Sequence, residues 1–585
     1  MRRSRRKISP QSAILFIFGA MAVALVLVAY FQPTPPPPPP DLTATTVAAL
    51  ASTHVVIEIA SSNTKQDWLT AVAEQFNAEE HRTEAGQPIY VQLSHVLSGG
   101  SQQAILSGTL QPTVWSPGEY SWVESANLDW EEHTGRPLVT ESCPATVSAP
   151  SGIAMWRPMA EALGWPDRPI GWLDLLALAS AEDGWGSLGH PEWGQFQFGH
   201  VHPDYSNVGL LMMTSLAYYA SGKTEGLQAD DVYSPDVQDA FRVLETHTYH
   251  YGLQSRDLLE LMTRRGPEYL HAVTTSEAET LRTNAEQADR LRYPLVFLFP
   301  AEGTFWSEHP YCILDGDWVT AEQREAAAIF RDYLLDSAQQ ALAPSYYIRP
   351  TDPSVALRTP ISIEGGTDPG VNQANSPVLE SPQPETASAV RDVFHLTKKP
   401  ATVVLVVDTS GSMGGERIAS ATASAADFIR RMSPRDEVYV VGFSDQPYAV
   451  GEGGPVSEVG EALAESVDGL YAHGNTSLFD AVCEAKEIIA NVRAEHDIAD
   501  DPHLYGIVLL SDGADTSSTF TQNQMLTQCL PESESADGTR VYTIAFGDSA
   551  ESDLMTSIAA RTNGRTFVGG PDEIERIYTA ISAEQ

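Results

Sequence analysis

The sequence is poor in cysteine, and its basic residues are far outnumbered by acidic ones. Its 585 residues include 35 Lys and Arg against 77 Asp and Glu, a formal net charge of −42. A surface of that sign repels phosphate backbones, so nucleic acid is excluded as an expected partner. The acidity is spread along the chain without a long acidic run, and its plainest role is a well-solvated surface. Only Cys143, Cys312, Cys483 and Cys529 occur, with no Cys-x-x-Cys spacing, which removes the usual zinc and thioredoxin-type signatures. A Gly-x-Ser-x-Gly elbow and a His-Glu-x-x-His zinc helix are also missing, so no enzyme activity is expected. Gly184 to Gly189 does spell Gly-x-Gly-x-x-Gly, but it follows a helical stretch and meets His190-Pro191 where a helix should begin, so no dinucleotide site is expected there.

What is present begins with topology. Arg2, Arg3, Arg5, Arg6 and Lys7 lie in a basic flank, 1–11, ahead of an uncharged stretch, 12–31, which is long enough as a helix to span a hydrocarbon core. The positive flank predicts a single-pass membrane protein with its N-terminus cytoplasmic and its bulk extracytoplasmic, a cleaved signal peptide being the alternative. No cysteine directly follows the apolar run, which excludes lipoprotein attachment. Residues 32–53 carry Pro33 and the run Pro35 to Pro40, which predicts an extended polyproline II spacer. The even cysteine count suits an oxidising compartment. Pairing within domains joins Cys143 to Cys312 and Cys483 to Cys529, and buried free thiols are the alternative.

The remainder is too long for one core and reads as α/β throughout. From 54 to 350, short β-type runs such as Val55 to Ala60, Tyr90 to Leu93 and Leu295 to Phe299 alternate with amphipathic stretches such as Gln66 to Ala78. Residues 351–397 open on a stretch rich in Pro, Gly, Ser and Asn, which predicts a connector. From 398 to 585, Thr402 to Val407, Glu437 to Phe443, Leu504 to Leu510 and Val541 to Phe546 are β-rich runs separated by helical ones, the pattern of a doubly wound sheet.

The sharpest motif is Asp408-Thr409-Ser410-Gly411-Ser412, directly after the apolar strand and before a helix beginning near Gly415. Thr476, just before another helix, and Asp512, just after the strand Leu504 to Leu510, have matching character. Ser410, Ser412 and Thr476 offer neutral hydroxyl oxygens and Asp408 and Asp512 offer charge, an all-oxygen set for a hard ion such as Mg²⁺, with Mn²⁺ or Ca²⁺ as variants. With so few carboxylates the ion stays electrophilic, and an acidic side chain of a protein partner can complete it. Asp515 reads as a turn carboxylate outside this set. Asp-x-Ser-x-Ser, a later threonine and a later aspartate resemble the metal-ion-dependent adhesion site of von Willebrand factor type A (VWA) domains. That resemblance implies that all five residues bind the ion directly or through water.

Earlier in the chain, hydroxyl- and glycine-rich loops sit where helices should start: Ser61-Ser62-Asn63, Ser98-Gly99-Gly100-Ser101 and Ser206-Asn207-Val208-Gly209. Converging, they would hold a small polar or anionic solute through backbone N–H groups. With Pro112 to Ser116, His202 to Asn207 and Pro300 to Thr304, this region is similar to extracytoplasmic solute-binding proteins of the two-lobed, hinge-closing type. The resemblance implies that these segments rim an interlobe cleft, with Ser116 and Glu302 among the ligand contacts. His200, His202, Trp115, Trp122 and Trp306 are expected to serve packing. The expectation is a membrane-anchored extracytoplasmic binding protein joining a solute site to a metal-dependent protein-docking site. The alternative is a transport component whose second domain docks a permease or assembly factor.

Overall fold

The computed structural model describes residues 52–569 except 205, 500, 502, 513, 514, 532–538, 547–551 and 563. The basic flank, the apolar run at 12–31 and most of the proline-rich spacer therefore lie outside the described residues. Among the described residues no helix is long and apolar enough to cross a membrane.

The first lobe is built on four strands in the order Cys312–Ile313, Val114–Ser116, Val55–Ser61, Ile89–His95. The last three run parallel, joined by helices such as Gln66–Ala78, and Cys312–Ile313 pairs antiparallel at the edge. Strand Val55–Ser61 buries Ile57 and Ile59 against Trp68, Val72 and Phe76 of that helix, the apolar positions falling at helical spacing on one face. The second lobe carries a seven-stranded sheet. Its central strand, Ala145–Trp156, bridges the lobes: Val147 and Ala149 pack into the first core, and Ile153 to Trp156 into the second. Strand Trp306–Pro310 pairs with it antiparallel and leads straight back to Cys312–Ile313, so two adjacent strands carry the crossing. The Cys143–Cys312 disulfide ties the ends of these crossings together.

The stretch 351–397 is more than the connector its composition suggests. Buried Arg349 is held bidentate by buried Glu277 at 2.6 and 2.8 Å and donates to the carbonyls of Val371 and Asp368, while Thr367 donates to Glu277 at 2.5 Å. Helix Pro384–Thr397 then buries Ala387, Ala389, Val390, Val393 and Phe394 in the second-lobe core. Pro and Asn obscured the start of this stretch, but positions 387, 390, 393, 394 and 397 carry a 3.6-residue period.

After it, the C-terminal sheet has the order Pro447–Ala449, Glu437–Phe443, Ala401–Asp408, Leu504–Ser511, Arg540–Phe546, Thr566–Gly569. All neighbours from Glu437–Phe443 to Thr566–Gly569 run parallel. Strand Ala401–Asp408 is buried on both faces. Val403, Leu405 and Val407 pack under helices Glu416–Arg431 and Val456–Asp468, while Val404 and Val406 face helix Leu478–Ala499. The Cys483–Cys529 disulfide lies within this domain. Phe394 is fully buried and sits edge-on to His202 with ring centroids 4.8 Å apart, whereas Leu396 on the same helix is 60% exposed. Phe394→Ala is expected to cost about 3–5 kcal/mol in urea unfolding and Leu396→Ala no more than about 0.5 kcal/mol; equal effects would mean the helix is not part of the core.

Candidate functional site

The chain passes from strand Ala401–Asp408 to Glu437–Phe443 on one side of the sheet and later to Leu504–Ser511 on the other. That reversal opens a crevice at the carboxyl end of Ala401–Asp408, where open α/β sheets bind ligands. Asp408 stands there, fully buried. Its Oδ1 accepts from the Ser410 N–H at 2.8 Å and its Oδ2 from the Ser511 hydroxyl at 2.5 Å. Ser410 Oγ is 3.0 Å from Ser412 Oγ, which donates to Asp512 Oδ1 at 2.7 Å. The third loop is fastened alongside: Gly411 N–H donates to the Gly474 carbonyl at 3.1 Å, and His473 N–H to the Thr409 carbonyl at 2.7 Å. Gly474, at φ +71°, lies against the Asp445 carboxylate, where a β-carbon would approach to 2.9 Å. Asp445 in turn accepts from the Asn475 N–H at 3.0 Å. Thr476 is buried, its carbonyl accepting from the N–H groups of Thr516 and Ser517.

The electrostatics of this corner are set by two carboxylates and one guanidinium. Burial raises the Asp408 carboxyl above its ordinary range, the Ser410 and Ser511 bonds oppose that rise, and the nearby Asp512 adds to it. The Arg417 guanidinium donates to Asp512 Oδ2 at 2.7 Å. Asp408, Ser410, Ser412 and Asp512 form one linked set of oxygen donors with no nitrogen or sulfur donor, which suits a hard divalent ion, and the loop of Thr476 lies alongside. Asp515 instead accepts from the Ser518 hydroxyl and from the Phe479 N–H, bracing the start of helix Leu478–Ala499.

The second concavity, about 170 Å³, is lined from both lobes by Ser62, Ser98, Gly99, Ser206, Asn207 and His309 among others. That volume is below the range typical of drug-sized ligands, so a small solute fits best. Ser98 and Asn207 begin helices Ser98–Leu106 and Asn207–Ser221 at its wall. Behind the wall lies Lys65, wholly buried, donating to Ser62 Oγ and the Ser116 carbonyl at 2.8 Å each, with His309 Nδ1 at 3.2 Å. None of these partners carries negative charge, and burial drives the Lys65 ammonium well below its ordinary range. His309 is itself 1% exposed, and its Nε2 has no hydrogen-bond partner among the described residues. Its Nδ1 lies 3.1 Å from Ser62 Oγ and 3.2 Å from Lys65 Nζ, so the ring atom left without a partner is Nε2.

A family model for the von Willebrand factor type A domain matches residues 402–578, and one for bacterial extracellular solute-binding proteins matches residues 57–348. The chain carries both domains. A curated relative, an uncharacterized protein of Synechocystis sp., is 26% identical over 190 residues, 32% of this chain; the match spans only 42% of the relative's length. Among solved structures, a von Willebrand factor type A protein from Catenulispora acidiphila is 19% identical, with 32% of this chain and 43% of that one covered and a TM-score of 0.28. The sulfate-binding protein SubI from Mycobacterium tuberculosis is 16% identical, with 52% and 89% covered and a TM-score of 0.33.

Within the VWA domain, the loops bearing Asp408, Ser410, Ser412, Thr476 and Asp512 gather at one sheet end. Within the solute-binding domain the expected residues divide. Ser62, Ser98, Gly99, Ser206 and Asn207 line the cleft, whereas Ser61, Gly100, Ser101, Ser116 and Glu302 are not among its lining residues. Ser101 Oγ accepts from Trp115 Nε1, and Ser116 Oγ donates to the Pro310 carbonyl. Glu302 accepts from the N–H groups of Trp172 and Leu173, at 3.0 Å each, at the start of helix Trp172–Ala179. Trp115 and Trp306 are buried and Trp122 lines the cleft. His200 and His202 are core residues, His200 bonded to buried Glu245.

The sequence reading missed Lys65 and His309. Lys65 stands in the same post-strand loop as Ser61-Ser62, and its charge was a usable signal; His309 comes from a distant strand and offered none. The depressed Lys65 value means the unfolded chain holds its proton to higher pH than the folded one. From pH 7 up to about 10.4, stability of the solute-free parent is therefore expected to rise relative to Lys65→Met. A stability difference flat across that range in chemical denaturation would count against a buried, uncompensated ammonium.

Proposed function

We propose that the chain is a membrane-anchored, extracytoplasmic binding protein without turnover. Its VWA adhesion site holds Mg²⁺, or Mn²⁺ or Ca²⁺, and through it a carboxylate of a protein partner; its interlobe cleft takes a small anionic solute. The observation that carries the first half is the gathering of the loops that bear two buried aspartates, two serines and a threonine at the switch point of the sheet. Asp408, Ser410, Ser412, Thr476 and Asp512 would hold the ion, which supplies an electrophilic position for an acidic ligand. The second half rests on Lys65, a buried cation with no counter-ion among its hydrogen-bond partners, behind a wall of hydroxyls and the unpaired His309 nitrogen. An anion in the cleft would offset the cost of burying that charge. The anchor rests on the basic flank and apolar run of the sequence, and the extracytoplasmic side on the same asymmetry and on two disulfides.

Calorimetric titration of Mg²⁺ and Mn²⁺ into the whole chain is expected to give one site. Asp408→Ala and Asp512→Ala should each weaken it at least 100-fold, about 2.8 kcal/mol. A folded parent that takes up no ion, or variants that bind as well, would remove the adhesion reading. A screen of small oxyanions and carboxylates should find a cleft ligand whose affinity falls at least tenfold in Lys65→Met, about 1.4 kcal/mol. Preference for neutral sugars or cations would reject the anionic solute.

A further inference from the structure

At the opposite end of the VWA sheet, three side chains meet that the adhesion site does not use. Glu437 opens strand Glu437–Phe443, His496 lies in the last turn of helix Leu478–Ala499, and His503 immediately precedes strand Leu504–Ser511. One ligand atom from each falls within 4.8 Å of the other two. His496 Nε2 is 3.3 Å from Glu437 Oε1, and His503 Nε2 is 3.4 Å from Asp501 Oδ2. The far nitrogens are held too: His496 Nδ1 is 3.0 Å from the Tyr505 hydroxyl and His503 Nδ1 is 2.9 Å from the Thr402 hydroxyl. The two imidazoles stack with centroids 3.8 Å apart.

Imidazole nitrogens and carboxylate oxygens thus meet at one end of the sheet. The Thr402 hydroxyl lies 2.9 Å from His503 Nδ1 and 3.4 Å from Glu437 Oε2. A divalent cation placed among the Nε2 atoms and carboxylates would be reached by all of them. Imidazole nitrogen with carboxylate oxygen is the donor set of zinc-class ions rather than of Mg²⁺. Hydroxyl partners on both Nδ1 atoms are the outer bonds that orient metal-bound histidines. The carbonyl end of helix Leu478–Ala499 favours a cation at this point as well. Arg493, the neighbouring guanidinium, is engaged over the Tyr505 ring and with Thr539.

We propose that Glu437, His496 and His503, with Asp501 at the rim, bind a zinc-class divalent ion as a second metal centre, distinct in chemistry and place from the adhesion site. Helix Leu478–Ala499 separates the two centres by about 27 Å, counting 1.5 Å per residue from Leu478 to His496. The second ion would clip the end of that helix to two strands of the sheet, away from any partner docked at Asp408.

The test uses the full chain carrying Asp408→Ala, so that the oxygen site is silent. Zn²⁺ should bind one-to-one by calorimetry, and Co²⁺ should give the strong visible absorption of a four-coordinate nitrogen–oxygen site. His496→Gln and His503→Gln should each weaken Zn²⁺ at least 100-fold and abolish the cobalt band. In chains that keep Asp408, the same substitutions should leave Mg²⁺ binding unchanged. Circular dichroism without metal checks folding; if a histidine variant does not fold, Glu437→Gln decides, with an expected loss of at least tenfold. Unchanged Zn²⁺ affinity in the folded variants, or a folded Asp408→Ala chain that takes up no Zn²⁺, overturns the proposal.

Discussion

The VWA domain is organised around the burial of a carboxylate at the end of its central strand. Val403 to Val407 make Ala401–Asp408 the strand covered on both faces, and the next residue is an aspartate with no exposure. A buried charge must be hydrogen-bonded or paired. Ser410, Ser511, Ser412 and Asp512 converge as a consequence, each loop bringing a hydroxyl or a second carboxylate to the same corner. The bonds from Gly411 to Gly474 and from His473 to Thr409 then fasten those loops to one another. Arg417 shows that the corner already attracts a cation.

The solute-binding domain poses the reverse problem. Lys65 is a buried cation without a carboxylate, placed where the first helix begins, close behind the cleft wall. On the proposed reading an anion in the cleft would offset the cost of charging Lys65, which Ser62 and His309 connect to the cleft wall. On the proposed reading the two domains make complementary demands, one for a cation and one for an anion. Each arises from a single buried ionisable group at the end of a first β-strand or in the loop just after it.

The chain between them is structural rather than passive. Helix Pro384–Thr397 fills the second-lobe core and ends one short turn before the central VWA strand. Arg265 also donates to the Ala560 carbonyl at 2.9 Å across the junction. Among the described residues, everything from Val55 onward therefore forms one compact unit.

Strands with a continuous β-branched run were legible from the residues alone. Glu437–Phe443 and helix Gln66–Ala78 fall where their periodicity put them, and Ala401–Asp408 and Leu504–Ser511 extend the expected strands by a residue or two. Asp408, Ser410, Ser412, Thr476 and Asp512 were equally readable, because local spacing places each in a loop at a strand end or helix start. Convergence was not readable where it depends on residues far apart in sequence. Glu302 caps a helix instead of lining the cleft, and His309 reaches Lys65 across 244 positions. His496 and His503 meet Glu437 only because the sheet order brings the start of one strand beside the end of a helix. Sequence by itself determined which elements form and which loops carry oxygen donors, since period and turn chemistry are local. The tertiary structure alone decided which buried charges lack a partner, since that depends on distances set by packing between segments that are remote in the chain.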